Sequence, residues 1–336
     1  MRKLLVIVCI SAFIAAFKPS SGDDKARENA AAINKSLQLL QNSSHTFLIN
    51  AGGCHSCHGQ GLGGVAFSLA KEKGYEIREE IIKEIADSLC SRTQYRMAVL
   101  LENTDPIAII MSGSYDLWAL SAIGQKPTKS IELLAQGIMR RQNANGSWVS
   151  PNLRPPLEYY SFTATALAAR NSQIYTPAVL RDEVKMRVDK ARAWLMKTVP
   201  ETNEEKVFQL LGLLWTNGDK AFIAQQAEKL LATQHKDGGW SQLDSLATDA
   251  YATGQSLYVL NQCGYLPVSA PAYLAGTNFL LQTQYADGSW KIKTRSLPGV
   301  PFVDSGFPHG DDQFISAAGS NWATMALILG AGGEKK

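Results

Sequence analysis

Two thiols and an imidazole stand together at Cys54-His55-Ser56-Cys57-His58. Cysteines at C-x-x-C spacing can add to the two vinyl groups of one haem, and a directly following His is placed to ligate the iron from one side. With five Cys and five His in the chain, chance seldom produces this pentapeptide. The expectation is one covalent haem c on Cys54 and Cys57, with His58 as the proximal ligand. Two other chemistries share the spacing. A structural zinc site would want a second Cys or His pair at ligand spacing, and the sequence has none. A redox dithiol of the thioredoxin kind would sit in a strand-helix-strand pattern, which is also missing. For the distal iron position the remaining choices are His45, His235 and His309, with Met97, Met111 and Met139 as thioethers. Choosing among them needs the elements that carry them.

The compartment agrees with the motif. Residues 1–22 read as a secretory leader: Arg2 and Lys3, an apolar run from Leu4 to Phe17, then small residues around Ala15-Ala16 and Ser20-Ser21-Gly22. That run is about 14 residues, short of the roughly 20 needed to span a bilayer. Val8 precedes Cys9, where lipidation would want a small residue. The mature chain is therefore expected to be exported, periplasmic or secreted, with no strong membrane signal. Removing the leader takes away Arg2, Lys3 and Lys18 and no acids, leaving 30 basic and 30 acidic side chains. This balance excludes a nucleic-acid partner of the electrostatic kind.

Three segments repeat one pattern after an amphipathic stretch: Gln142 to Trp148, Gln234 to Trp240 and Gln284 to Trp290, each reading Gln-x-x-x-Gly-x-Trp. The Trp-to-Trp separations are 92 and 50, so a degenerate copy is expected between the first two, with Lys190 to Leu195 as its remnant. Such a period means stacked helical units. Helices rich in small and apolar residues are expected at 63–71, 115–124, 162–170, 207–215, 249–263 and 315–329. More polar ones alternate with them at 28–42, 78–101, 128–141, 180–197, 220–233 and 271–283. Helices that are apolar all round are buried and polar-faced ones lie outside. The fold class is all-α: six inner and six outer helices in a closed α6/α6 toroid. The haem-binding pair spans 23–75 and continues without a break into the repeats of 76–332.

These repeats resemble those of the prenyltransferase and squalene cyclase superfamily. The stretches Ser245–Leu260 and Asp304–Ala323 resemble squalene cyclase-like bacterial proteins that carry an N-terminal C-x-x-C-H. The resemblance covers roughly residues 45–330 and implies a toroid around a central apolar cavity. Class II cyclases of this superfamily protonate an alkene with an Asp-x-Asp-Asp cluster. The nearest stretch here, Leu246 to Tyr251, holds the single carboxylate Asp249. The superfamily's protein prenyltransferases hold zinc with Asp, Cys and His, and Cys263 lacks a matching neighbour.

In such a ring the C-x-x-C-H occupies the outer-to-inner connection of the first pair, the slot that later carries the Gln-x-x-x-Gly-x-Trp loops. The sixth pair neighbours the first, and its connection from Lys291 to Gln313 is the longest; long loops in compact repeats are often functional. It carries Phe307 to Asp312, which makes His309 the expected distal ligand, with Met111 as the alternative. Asp311 and Asp312 either cap the sixth inner helix or face the cavity. Asp249 has the same choice at the fifth, and Trp118, Tyr251, Trp322 and Phe162 would line the cavity. Cys90 and Cys263 are expected as buried free thiols. The expected function is monohaem electron transfer or haem-dependent redox chemistry with a partner protein. The alternative is a terpene cyclase-like enzyme, or a module binding an apolar small molecule in the toroid cavity.

Overall fold

The computed structural model describes residues 22–53, 55–102, 108–150, 154–296 and 303–331. The leader expected at 1–22 lies outside these residues apart from Gly22, and so does Cys54. The described residues hold twelve α-helices and no strand, only the isolated bridges Arg154–Glu158 and Trp240–Asp249. No described helix is long and apolar enough to cross a membrane.

The outer helices are α1 (Gly22–Asn50), α3 (Glu79–Leu101), α5 (Lys129–Arg140), α7 (Arg181–Lys197), α9 (Lys220–Leu231) and α11 (Pro271–Thr283). The inner ones are α2 (Leu62–Glu72), α4 (Met111–Ala122), α6 (Ser161–Tyr175), α8 (Asn203–Trp215), α10 (Ala250–Gln262) and α12 (Gln313–Gly330). The two sets differ in pattern as well as place. Outer helix α5 buries Ile131, Leu134, Ala135 and Ile138, a single helical stripe, and starts where Thr128 Oγ1 accepts a hydrogen bond from Ile131 N. Inner helix α12 buries every residue from Ile315 to Ile328. Each inner helix packs on the next, and α12 packs on both α10 and α2, which closes the ring. Gly254 permits the tightest of these approaches, since a Cβ there would lie 2.5 Å from Ala323 N and from Trp322 C.

The three repeat motifs act as fasteners. Gln142, Gln234 and Gln284 each donate to the oxygen of their own turn glycine and to a carbonyl on the next outer helix: Arg187 O (2.8 Å), Ala272 O (2.8 Å) and Ala32 O (3.0 Å). Trp148, Trp240 and Trp290 send their indole N–H back to Ile138 O, Leu230 O and Leu280 O. Their main-chain N–H groups go inward to Thr165, Thr253 and Ser320. The third fastener runs from α11 to α1 and joins the last pair to the first. The expected remnant at Lys190–Leu195 is no such loop: Trp194 lies inside α7 and packs on Phe162, with ring centroids 4.7 Å apart.

Candidate functional site

The described part of the C-x-x-C-H sequence lies between α1 and α2. Cys57–Gly61 forms a single π-helical turn that Ser56 caps by accepting from Gly59 N at 2.9 Å. Gln60 ties the turn to α1: its Oε1 accepts from Ser56 N, and its Nε2 donates to Ser44 O at 2.8 Å. Asn321 Nδ2 on α12 donates to His58 O at 3.0 Å. Gly61 lies against α4, where a Cβ would come within 3.0 Å of Tyr115 Cβ. Three helices thus fix the turn.

Its side chains point inward. The His58 ring is buried and meets Phe47 and Phe314 edge-on at 5.6 and 5.8 Å. Its Nδ1 is buried without a hydrogen-bond partner. Burial, with help from the charge of Arg154, pushes the imidazole down to about 3, so it is neutral at any ordinary pH. The Cys57 thiol is raised by burial and by the charges of Glu158 and Asp116, against which Arg154 acts, and it hydrogen-bonds Glu158. Arg154 and Glu158 are ion-paired, and Tyr115 OH donates to Leu157 O between them.

The motif's spacer holds an interaction that the spacing rules do not anticipate. His55 Nε2 lies 2.7 Å from Asp116 Oδ1, both side chains being buried, and Asp116 also pairs with Arg96 of α3. Arg96 Nη2 donates to Ser112 Oγ. Burial alone would raise the Asp116 carboxyl, but His55 and Arg96 outweigh it and hold it below its ordinary value. The available signal was a lone Asp in the apolar run Tyr115 to Leu120 and a His inside the spacer itself.

The expected central apolar cavity is replaced, at mid-height, by packed rings. Trp118, Phe208 and Trp322 come from alternate inner helices α4, α8 and α12, with centroids 6.1 to 6.4 Å apart. Side chains of alternate members of a six-helix ring touch only across its axis, so they close the lumen there. Trp215 and Tyr258 extend the cluster. Phe162, expected in the lining, instead turns to Trp194 of α7.

A polar layer adjoins the rings. The carboxylate of Glu204, at the start of α8, accepts from Thr163 Oγ1 (2.9 Å), Tyr251 OH (3.0 Å) and Gln255 Nε2 (2.6 Å). Burial pushes it up to about 7 in spite of those donors. Glu204 was not anticipated, because Thr202-Asn203-Glu204-Glu205 reads as an ordinary helix start. Asp249 caps α10 by accepting from Ala252 N and also accepts from Gln242, and burial raises it to about 6. Of its two expected roles it takes the cap, and it also lines a surface pocket of about 390 Å³ with Tyr285 and Lys291.

The other expected site residues are dispersed. His309 has φ 85° and its Nε2 lies 2.8 Å from Ser289 Oγ, in the third repeat turn. Its ring stands beside Tyr285 and Phe307. Phe314, five residues on, is what reaches His58. Met111 is buried at the start of α4. Asp311 is exposed, and Asp312 accepts from Thr294 N instead of capping α12. His45 pairs with Glu84, and His235 with Ser241. Cys90 and Cys263 are free but half-buried, less enclosed than expected. Among the described residues no group of three or more His, Cys, Asp or Glu is arranged to hold a metal ion.

Do the residues present suit a haem? A neutral imidazole with an orphaned ring nitrogen, apolar rings on its flanks and a neighbouring buried thiol is a donor set that suits haem iron and a thioether link. They fit.

No family model matches the sequence, and no curated protein matches it. Among solved structures the chain is similar to the type II terpene cyclase MstE from Scytonema. The apo form is 14% identical with a TM-score of 0.57, covering 90% of this chain and 98% of that one. An arginine-to-alanine variant with its substrate geranylgeranyl dihydroxybenzoate gives 14%, 0.57, 91% and 98%. An aspartate-to-alanine variant with its product merosterolic acid A gives 13%, 0.57, 93% and 99%. At this identity the likeness is one of fold: the chain is an all-α protein with the toroid of a type II terpene cyclase.

Proposed function

We propose that the chain is an exported monohaem c-type redox protein built on a terpene cyclase-like toroid. The observation that carries this reading is the pairing of Cys57 and His58 in one fixed turn, both buried, with the imidazole between Phe47 and Phe314 and its Nδ1 unpartnered. Bound haem supplies a one-electron ferric/ferrous couple. The chain's part is to fix the donors: Gln60 and Asn321 hold the turn, Phe47 and Phe314 exclude water from the imidazole, and Cys54 with Cys57 provides the attachment. His309, held here by Ser289, would be the second protein ligand to the iron, with Met111 as the alternative. The redox partner is a protein docking on the face where the outer-to-inner connections open.

The test is production in a host competent for cytochrome maturation. The expected product is coloured, with a mass exceeding the bare polypeptide by one haem. A colourless product at the bare mass overturns the reading. Carbon monoxide binding to the reduced protein then separates an open iron, suited to ligand sensing or catalysis, from a closed one suited to electron transfer.

A second reading, a cyclase-like enzyme or apolar-ligand module, is favoured by the fold and by the buried acid Glu204 between α6 and α10. Against it stand the rings of Trp118, Phe208 and Trp322 in the lumen. Incubation with squalene and with a geranylgeranylated phenol tests it: a cyclised product lost in Glu204→Gln would establish it.

A further inference from the structure

The connection from α5 to α6 does more than carry the first repeat motif. Beyond Trp148 it forms the short hairpin Arg154–Glu158, closed by a backbone bridge and by the Glu158 N to Arg154 O hydrogen bond of 3.0 Å. This hairpin belongs to the third pair, yet it lies over the turn of the first. Leu157 is fully buried and accepts from Tyr115 OH of the second pair. Glu158 hydrogen-bonds Cys57, and the charge of Arg154 reaches both Cys57 and His58. The two side chains are unequally enclosed, Glu158 being 3% exposed and Arg154 31%. The loop of a distant repeat thus sets one buried negative and one half-buried positive charge beside the attachment residues.

We infer that Arg154 and Glu158 are positioning charges that set the reduction potential of a haem held by Cys57 and His58, an inference that rests on the haem reading above. The couple takes up one electron, ferric iron becoming ferrous, with the electron supplied by an electrode or chemical titrant. Reduction removes one unit of positive charge from the iron. A carboxylate beside it favours the ferric form and lowers the potential; a guanidinium favours the ferrous form and raises it. Low local dielectric makes both effects larger than they would be in water. Glu158, being the more enclosed, is screened less by solvent and salt.

The experiment is a redox titration of the holoprotein at pH 7, with visible spectra to confirm an unchanged ligand set. Glu158→Gln is expected to shift the ferric/ferrous equilibrium about tenfold toward ferrous iron, which for one electron is a rise of about 59 mV. Arg154→Gln is expected to shift it in the opposite direction, Arg154→Lys to stay near the parent, and the double Gln variant to fall between the two single ones. A purely structural role would move both single variants the same way. Holoprotein whose two Gln variants shift together, or not at all, overturns this inference and leaves the haem reading standing. A parent chain that takes up no haem overturns both.

Discussion

Asn321, in the middle of the last helix, donates to the main-chain oxygen of His58 in the first turn, across 263 positions of sequence. One amide therefore couples closure of the ring to the geometry of the candidate site. The same Nδ2 also donates to Ala317 O at 3.0 Å. Replacing Asn321 by Leu removes this donor from the buried His58 oxygen, at a cost of about 1–3 kcal/mol. The expected outcome is a lower urea midpoint and, in the haem-loaded chain, a perturbed visible spectrum; an unchanged midpoint would contradict the assigned bond.

The helical pairs were legible because each rule acts within one repeat. Gly, Gln and Trp recur at fixed offsets, and the inner helices advertise themselves by Ala, Gly and Ser on every side. What stayed hidden depends on contacts between repeats. His55 meets Asp116 of the second pair, Glu158 of the third pair covers Cys57, and Glu204 of the fourth gathers donors from α6 and α10. The closing of the lumen at one level was hidden for the same reason: that Trp118, Phe208 and Trp322 meet there depends on the rotation of three separate helices.

Gly238 tests the fasteners. It has φ 93°, and a Cβ there would lie 2.5 Å from Ala275 O on the next outer helix. Gly238→Ala therefore meets both a backbone penalty and a collision with main chain, which relaxes only by parting α9 from α11. A loss of about 2–3 kcal/mol is expected, read as a lowered thermal midpoint. Gly264→Ala, also at positive φ (68°) but with open space around the added Cβ, should cost less.

Asp116 is shared between Arg96 and His55 inside the ring. Asp116→Asn leaves Arg96 and His55 buried without their carboxylate, and breaking a buried pair on one side costs about 3–5 kcal/mol. Denaturant unfolding should show the variant far less stable than Lys83→Ala, which removes an exposed, solvent-screened pair. Similar midpoints would refute the claim that this triad holds the motif.

Glu204 makes stability depend on pH in an uncommon direction. Its carboxyl rises from 4.5 to about 7 on folding, so between those values the native state binds more protons than the unfolded chain. Its contribution is fully present below pH 4.5 and is lost as pH rises through 7, by up to about 3 kcal/mol. His58, depressed to about 3, works the other way, losing stability as pH falls from 6.5. The difference between parent and Glu204→Gln isolates the first effect. The variant's stability relative to the parent should climb from pH 4.5 to 7 and then level, as followed by urea midpoints in steps of pH; a flat difference would show Glu204 ionised throughout.

On the haem reading proposed above, Ser289 competes with the iron for His309. In the described structure His309 Nε2 is held by Ser289 Oγ at 2.8 Å, in a backbone conformation (φ 85°) that a non-glycine residue seldom adopts. Coordination must outcompete that bond. Ser289→Ala removes the competitor while leaving the imidazole in place, so it should sharpen a low-spin haem spectrum. His309→Ala should convert it to a high-spin or methionine-ligated one, with Met111→Leu separating those two results. Low-temperature EPR of the three holoproteins reads the outcome directly. If His309→Ala and Ser289→Ala both match the parent, the histidine belongs to the repeat turn alone and the iron's sixth position lies elsewhere.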